Sequence, residues 1–204
     1  MIEPTPTTFD FERDTEPPDW LADGVIERGT VTVLSGDTSA GKSLLADALS
    51  VAVLKGGDWL GRDVQRGRVV LYIDEENHRR LVRDRLRAFG LTNGDRDGLR
   101  YFLRAGVALG DARWNAWLTR QAQEYRADLV VIDTASSATA GDVNDNSRVA
   151  ALYRDGLRPA TVGGAAVLLL HHERKSSGDY PRNASQAMMG ARAWAAQADA
   201  HIAI

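Results

Sequence analysis

Short apolar runs alternate along this chain with longer stretches whose apolar residues recur every three or four positions. The runs TVTVLS (30–35), RVVLYID (68–74), DLVVID (128–133) and AAVLLLHH (165–172) are nearly continuous rather than alternating. That pattern predicts strands buried on both faces. A shorter strand is predicted at 99–104, and a last one begins in AHIAI at 200–204. Between them the helical period predicts helices over 42–54, 76–89, 111–125, 145–161 and 185–196. The second is Arg-rich, with Leu81, Leu86 and Phe89 expected inward. The third carries Trp114, Trp117 and Leu118 on one stripe, read as core or a subunit contact. Strands that alternate with helices imply parallel pairing with both faces covered. The predicted fold class is therefore α/β, a mostly parallel central β-sheet with helices on both faces.

The ends and one loop break this rhythm. Residues 1–19 hold Pro4, Pro6, Pro17 and Pro18 among many acids, and read as an extended or disordered arm ahead of a core over 20–204. The stretch 173–184 is polar and expected to be mobile. The 204 residues suit one domain, and a net charge of -3 gives no general argument for a nucleic-acid partner. Absence of cysteine excludes disulfides and thiolate metal sites, and fits a cytoplasmic protein. The acidic N-terminus is not a signal peptide, and no apolar run is long enough to span a bilayer, so no membrane partner is expected.

Candidate chemistry begins where the first strand meets the first helix. GDTSAGKS comprises Gly36, Asp37, Thr38, Ser39, Ala40, Gly41, Lys42 and Ser43, with Leu44 next. The spacing GxxxxGKS between a strand and a helix is the phosphate-binding P-loop. Its glycines permit backbone angles that turn successive N–H groups inward, and the helix N-terminus adds unpaired donors. Lys42 supplies a charge for β- and γ-phosphates, and Ser43 a hydroxyl for Mg²⁺. ATP with Mg²⁺ is the expected cofactor.

Hydrolysis needs further groups at the same sheet edge. Asp133 ends the strand LVVID, where a carboxylate can organise Mg²⁺ through water. Asp74, Glu75 and Glu76 end YIDEE; one of them can polarise the attacking water, or the three can serve as first-turn acids of a helix. His171 and His172 end AVLLL, where a polar group can sense the γ-phosphate or simply occupy a loop. In the loop 173–184, Arg174, Lys175 and Arg182 beside Tyr180 suit contacts to single-stranded DNA, or a solvated loop.

The order GDTSAGKS, YIDEE, VIDT, LLLHHERK and QADAHIAI resembles the RecA-like ATPases of the group that includes the plasmid helicase RepA and the DnaB-type replicative helicases. The resemblance runs from about Trp20 to the end of the chain. It implies a RecA-like P-loop NTPase fold and ATP hydrolysis. Among the acids it picks Glu76 as catalytic, with Glu75 the alternate, and His172 over His171 as phosphate sensor. It implies a homo-oligomer, with a hexameric ring expected, whose channel loops after Asp133 and His172 meet single-stranded DNA. In that group a trans-acting arginine follows the QAD segment. This chain stops at Ile204, so a core fragment, substitution by Arg182 or Arg192, or weak activity in trans is expected. The expected function is a helicase-type motor in replication or recombination. The alternatives are a DNA-annealing ATPase and a nucleotide-regulated assembly ATPase without a DNA role.

Overall fold

The computed structural model describes residues 17–173 and 193–204. The buried runs become one six-stranded sheet: β3 (Val31–Gly36), β6 (Val70–Asp74), β7 (Leu99–Leu103), β8 (Leu129–Asp133), β9 (Ala166–His172) and β10 (Ala200–Ala203). Its order is β10-β3-β9-β8-β6-β7 and every pairing is parallel. All carboxyl ends therefore lie along one edge. Val31, Val33, Ile73, Val130, Ile132 and Leu169 enter one core, while Leu34, Tyr72, Val131 and Leu170 enter the other. Two packed faces explain why the sequence shows no alternation in these strands.

α1 (Lys42–Lys55) packs on one face with α2 (Arg79–Ala88); α3 (Ala112–Glu124) covers the opposite face. Also on that second face, α4 (Asn146–Leu152) runs through a π-helical turn, Tyr153–Leu157, into α5 (Arg158–Thr161). This is the helix predicted over 145–161, widened in its middle. Asp111 and Asp145 cap α3 and α4 by accepting from their first-turn amides. α6 (Ala193–Ala196) is the described end of the helix predicted over 185–196.

α1 buries nine of its 14 residues, more than one amphipathic face allows. The reason is a second sheet that the apolar pattern did not reveal. β1 (Trp20–Ala22), β2 (Ile26–Glu27), β4 (Gly57–Trp59) and β5 (Arg62–Val64) form an antiparallel sheet in the order β2-β1-β5-β4. It closes over α1, and the Trp59 indole N–H donates to Leu45 O at 2.9 Å. Strands of two or three residues are too short to show a period.

α2 differs from its expectation. Val82 and Leu86 are buried, whereas Leu81 is 42% and Phe89 37% exposed. The helix starts at Arg79, not at 76, because Asp74 Oδ1 accepts the Glu76 and Asn77 amides in a turn. The inward stripe is then 82 and 86, against Val51 of α1. The bulk of the acidic arm, the helix start at 185–192 and the DNA-contact candidates Arg174, Lys175 and Arg182 lie outside the described residues.

Candidate functional site

The loop between β3 and α1 is shaped by backbone angles. Ser39 and Gly41 take positive φ values of 68° and 96°. Gly36 is required by space: a Cβ there would meet Ile204 Cγ1 and O at 2.9 Å. α1 has no side-chain N-cap and no acid in its first turn. The Ala40 amide turns back onto Asp37 O at 3.1 Å and the Leu45 amide onto Gly41 O at 2.9 Å. The amides of residues 41–44, between them, remain available to an anion, reinforced by the helix dipole. Lys42 Nζ folds over the loop and donates to Gly36 O at 2.9 Å and Asp37 O at 2.8 Å. Burial lowers its pKa, against the pull of Asp133 and Glu76. A phosphate can take the place of those carbonyls.

Asp133 ends β8 with 0% exposure. Its Oδ2 accepts from Tyr72 Oη and Asn77 Nδ2, both at 3.2 Å, while Oδ1 is buried with no hydrogen-bond partner among the described residues. Burial pushes its pKa up to about 7; the nearby Ser43 hydroxyl opposes this without aligning on Oδ1, and Asp74 adds to it. An uncompensated buried carboxylate oxygen is costly and calls for a cation. Among the described residues, no group of three or more His, Cys, Asp or Glu could hold a metal alone. Ser43 with Asp133 therefore fits a Mg²⁺ that arrives with phosphates and keeps water ligands.

The two candidate glutamates have different surroundings. Glu76 Oε1 accepts from Ser137 Oγ at 2.6 Å and Thr134 Oγ1 at 2.7 Å, with His172 Nε2 at 3.6 Å. Burial raises its pKa, but the Ser137 and Thr134 hydroxyls and His172 outweigh this, so the net shift is downward. All three partners converge on Oε1, which leaves Oε2 for a water. Glu75 instead accepts from the Val107 amide at 2.9 Å and the Gly106 amide at 3.2 Å. It ties down the loop after β7. Asp74 is likewise structural: it takes Asn77 Nδ2 and, at 2.7 Å, Tyr101 Oη.

His171 and His172 also separate. His171 is buried against Trp194 at 5.2 Å, and burial lowers its pKa to about 4. His172 is partly exposed beside Glu76, with Nδ1 buried and without a hydrogen-bond partner among the described residues. The structure thus brings the P-loop, Asp133, Glu76 and His172 to one edge. Sequence reasoning missed Thr134, Ser137, Asn77 and Tyr72, which orient the acids. The hydroxyl-rich TASS after Asp133 was the available signal. Asp47 was missed as well. It is 1% exposed on α1, with Arg85 Nη1 at 3.8 Å, and burial raises its pKa to about 7.

No helix among the described residues is long and apolar enough to cross a membrane. No curated protein matches the chain. A family model described as "AAA domain" matches residues 2–178, which include the P-loop, Glu76, Asp133 and His172. That match covers well over half of the chain, and with a parallel sheet built around a phosphate-binding loop it places the protein in the AAA domain family of P-loop ATPases.

Proposed function

We propose that the protein is an ATP-driven, helicase-type motor that acts on single-stranded DNA in replication or recombination as a homo-oligomeric, hexameric ring. One observation carries the reading. Glu76, the group positioned to polarise water, is held by Thr134 and Ser137 on one side and faces His172 on the other. Those residues open the two loops, 134–147 and 173–184, that the family resemblance turns toward DNA. A contact on either loop moves a partner of Glu76, so turnover and strand binding are linked through few atoms.

The residues divide the work as follows. The loop amides and Lys42 bind and orient the phosphates. Ser43 and Asp133 would hold Mg²⁺, which would supply neutralisation of the charge on the β- and γ-phosphates. Glu76 Oε2 accepts a hydrogen bond from the attacking water and aligns it. Thr134 and Ser137 keep Glu76 ionised and fixed. His172 lies where loss of the γ-phosphate changes its hydrogen bonds.

The test is ATPase activity and particle size with and without single-stranded DNA, over a range of salt. The expected result is DNA-stimulated turnover, a ring in the presence of an ATP analogue, and DNA binding that weakens steeply with salt. Turnover and size that ignore DNA overturn the motor and leave an assembly ATPase. Strand annealing without unwinding of a forked substrate selects an annealing protein.

A further inference from the structure

The Thr134 and Ser137 hydroxyls hold the carboxylate of Glu76, but its main chain is held as well, and by different groups. Its amide donates to Asp74 Oδ1 at 3.0 Å. Its carbonyl oxygen accepts from Arg104 Nη2 at 2.6 Å. Among the described residues no backbone amide bonds to that oxygen, because α2 starts only at Arg79 and Glu76 lies outside its ladder. A peptide unit is planar. The Asp74 bond therefore fixes the plane before Glu76, and the Arg104 bond fixes the plane after it. Together the two planes set the direction in which the Glu76 side chain leaves the backbone. The Arg104 bond carries a full charge on its donor, which makes it stronger than a bond between neutral groups.

Arg104 is exposed, and an exposed cation orients a neighbour only where its own backbone is fixed. Here it is fixed. Arg104 follows β7 directly, with a φ of 49°, in the left-handed region that a non-glycine residue enters at a cost in strain. Its amide donates to Asp74 O at 2.7 Å, one step beyond the β6–β7 ladder. The Gly106 and Val107 amides then take the Glu75 carboxylate. Residues 104–107 thus bond to Asp74, Glu75 and Glu76 in turn.

The same segment is anchored at its far end. Val107 and Leu109 are buried in the core under α3. The Leu109 amide donates to Ala138 O, and the Ala140 amide to Leu109 O, both at 2.7 Å. Ala138 and Ala140 belong to the loop whose Thr134 and Ser137 hold the Glu76 carboxylate. Two segments therefore grip Glu76, one by its carbonyl and one by its carboxylate, and they are hydrogen-bonded to each other. Arg104 closes that frame.

We propose that Arg104 is a positioning residue for ATP hydrolysis: it holds the main chain of Glu76 so that the carboxylate meets the attacking water, and does not itself touch the nucleotide. The inference rests on the reading of Glu76 as the group that polarises that water.

Steady-state hydrolysis, nucleotide titration and urea unfolding on the intact chain test it. Arg104→Ala is expected to lower kcat about tenfold, since a small displacement of an aligned group is enough, with nucleotide affinity and urea midpoint unchanged. Arg104→Lys keeps a cationic donor for the one carbonyl and is expected to stay within about threefold of the unaltered protein. Because Arg104 acts through Glu76, adding Arg104→Ala to Glu76→Gln is expected to change the residual turnover by less than about twofold. Full turnover in Arg104→Ala, where Glu76→Gln has lost it, overturns the proposal and leaves the role of Glu76 standing. A further fall of about tenfold in the double variant also overturns it, because Arg104 then acts by another route. Weaker nucleotide binding in Arg104→Ala does the same, by assigning the guanidinium a contact with nucleotide. Full turnover in Glu76→Gln overturns the reading of Glu76 and the proposal with it.

Discussion

Asp128 and Asp133 stand at opposite ends of β8, and the comparison separates a structural carboxylate from a functional one. Asp128 accepts the Arg68 amide at 2.6 Å, the Val69 amide at 3.2 Å and the Arg28 guanidinium at 2.9 Å. Burial works to raise its pKa, but those bonds outweigh it and hold it below the usual carboxylate value. Asp133 has two long bonds to neutral donors and one unpaired oxygen, and burial takes it to about 7. The difference is compensation. At the N-terminal end of the sheet the charge is fully met by protein. At the C-terminal end it is left unmet, beside a phosphate cradle, which is where a ligand supplies what the fold omits.

The sharpest test lies at the C-terminal end. Lys42→Ala is expected to lower ATP affinity or turnover by about 100-fold or more, because a preorganised charge is lost from the phosphates. Glu76→Gln is expected to spare binding and lower turnover by about 100-fold, by removing the group that orients water. Nucleotide titration and single-turnover hydrolysis on both variants separate the roles.

The next test sets the two aspartates against each other. Asp128→Ala strands two backbone amides and a half-buried guanidinium, and is expected to cost about 3 kcal/mol of stability. Asp133→Asn removes an uncompensated buried charge. It is expected to leave stability unchanged or higher while weakening Mg²⁺-dependent nucleotide binding. Urea unfolding alongside binding checks both. Equal destabilisation by the two variants breaks the comparison.

Their pH dependences have opposite signs. Asp133 has a folded pKa of about 7, above its ordinary 3.8, so the folded state holds more protons between those values. Its contribution is greatest below about pH 4 and is lost as pH rises through 7, at up to ~1.4 kcal/mol per pH unit for one proton. Asp128 is shifted down, so its contribution is present above the unfolded pKa and is lost as pH falls through the folded one. Asp133→Asn should therefore flatten the stability curve between pH 4 and 7, and Asp128→Asn only at the acid end. Asp47, also raised to about 7, adds to the first slope. Urea midpoints measured from pH 4 to 8 show the sign.

The sequence made the sheet and the phosphate cradle legible because both are local. A strand buried on two faces is a continuous apolar run, and the cradle is eight consecutive residues. Asp133 was legible as the polar end of such a run. The small antiparallel sheet was not, since its strands are too short to carry a period. The inward stripe of α2 was misplaced because the Asp74 turn delays the helix. The supports of Glu76 come from residues 134 and 137, which only the strand order brings beside it. Pattern alone could not choose among three adjacent acids, as the choice depends on where each carboxylate turns.

That choice yields the smallest effect. Glu75 and Glu76 differ by one position, yet Glu75 accepts two amides of the loop after β7 while Glu76 faces His172. Glu75→Gln keeps the side-chain length but only one acceptor oxygen; since the two amides meet different oxygens, one bond is lost and the other loses the charge that strengthens it. The expected cost is about 1 kcal/mol of stability, with turnover per folded molecule within about twofold of the unaltered protein. Thermal unfolding and single-turnover hydrolysis on the same sample measure both. Full turnover in Glu76→Gln with loss in Glu75→Gln would exchange the two roles, and would require the loop at 106–107 to release Glu75 when nucleotide binds.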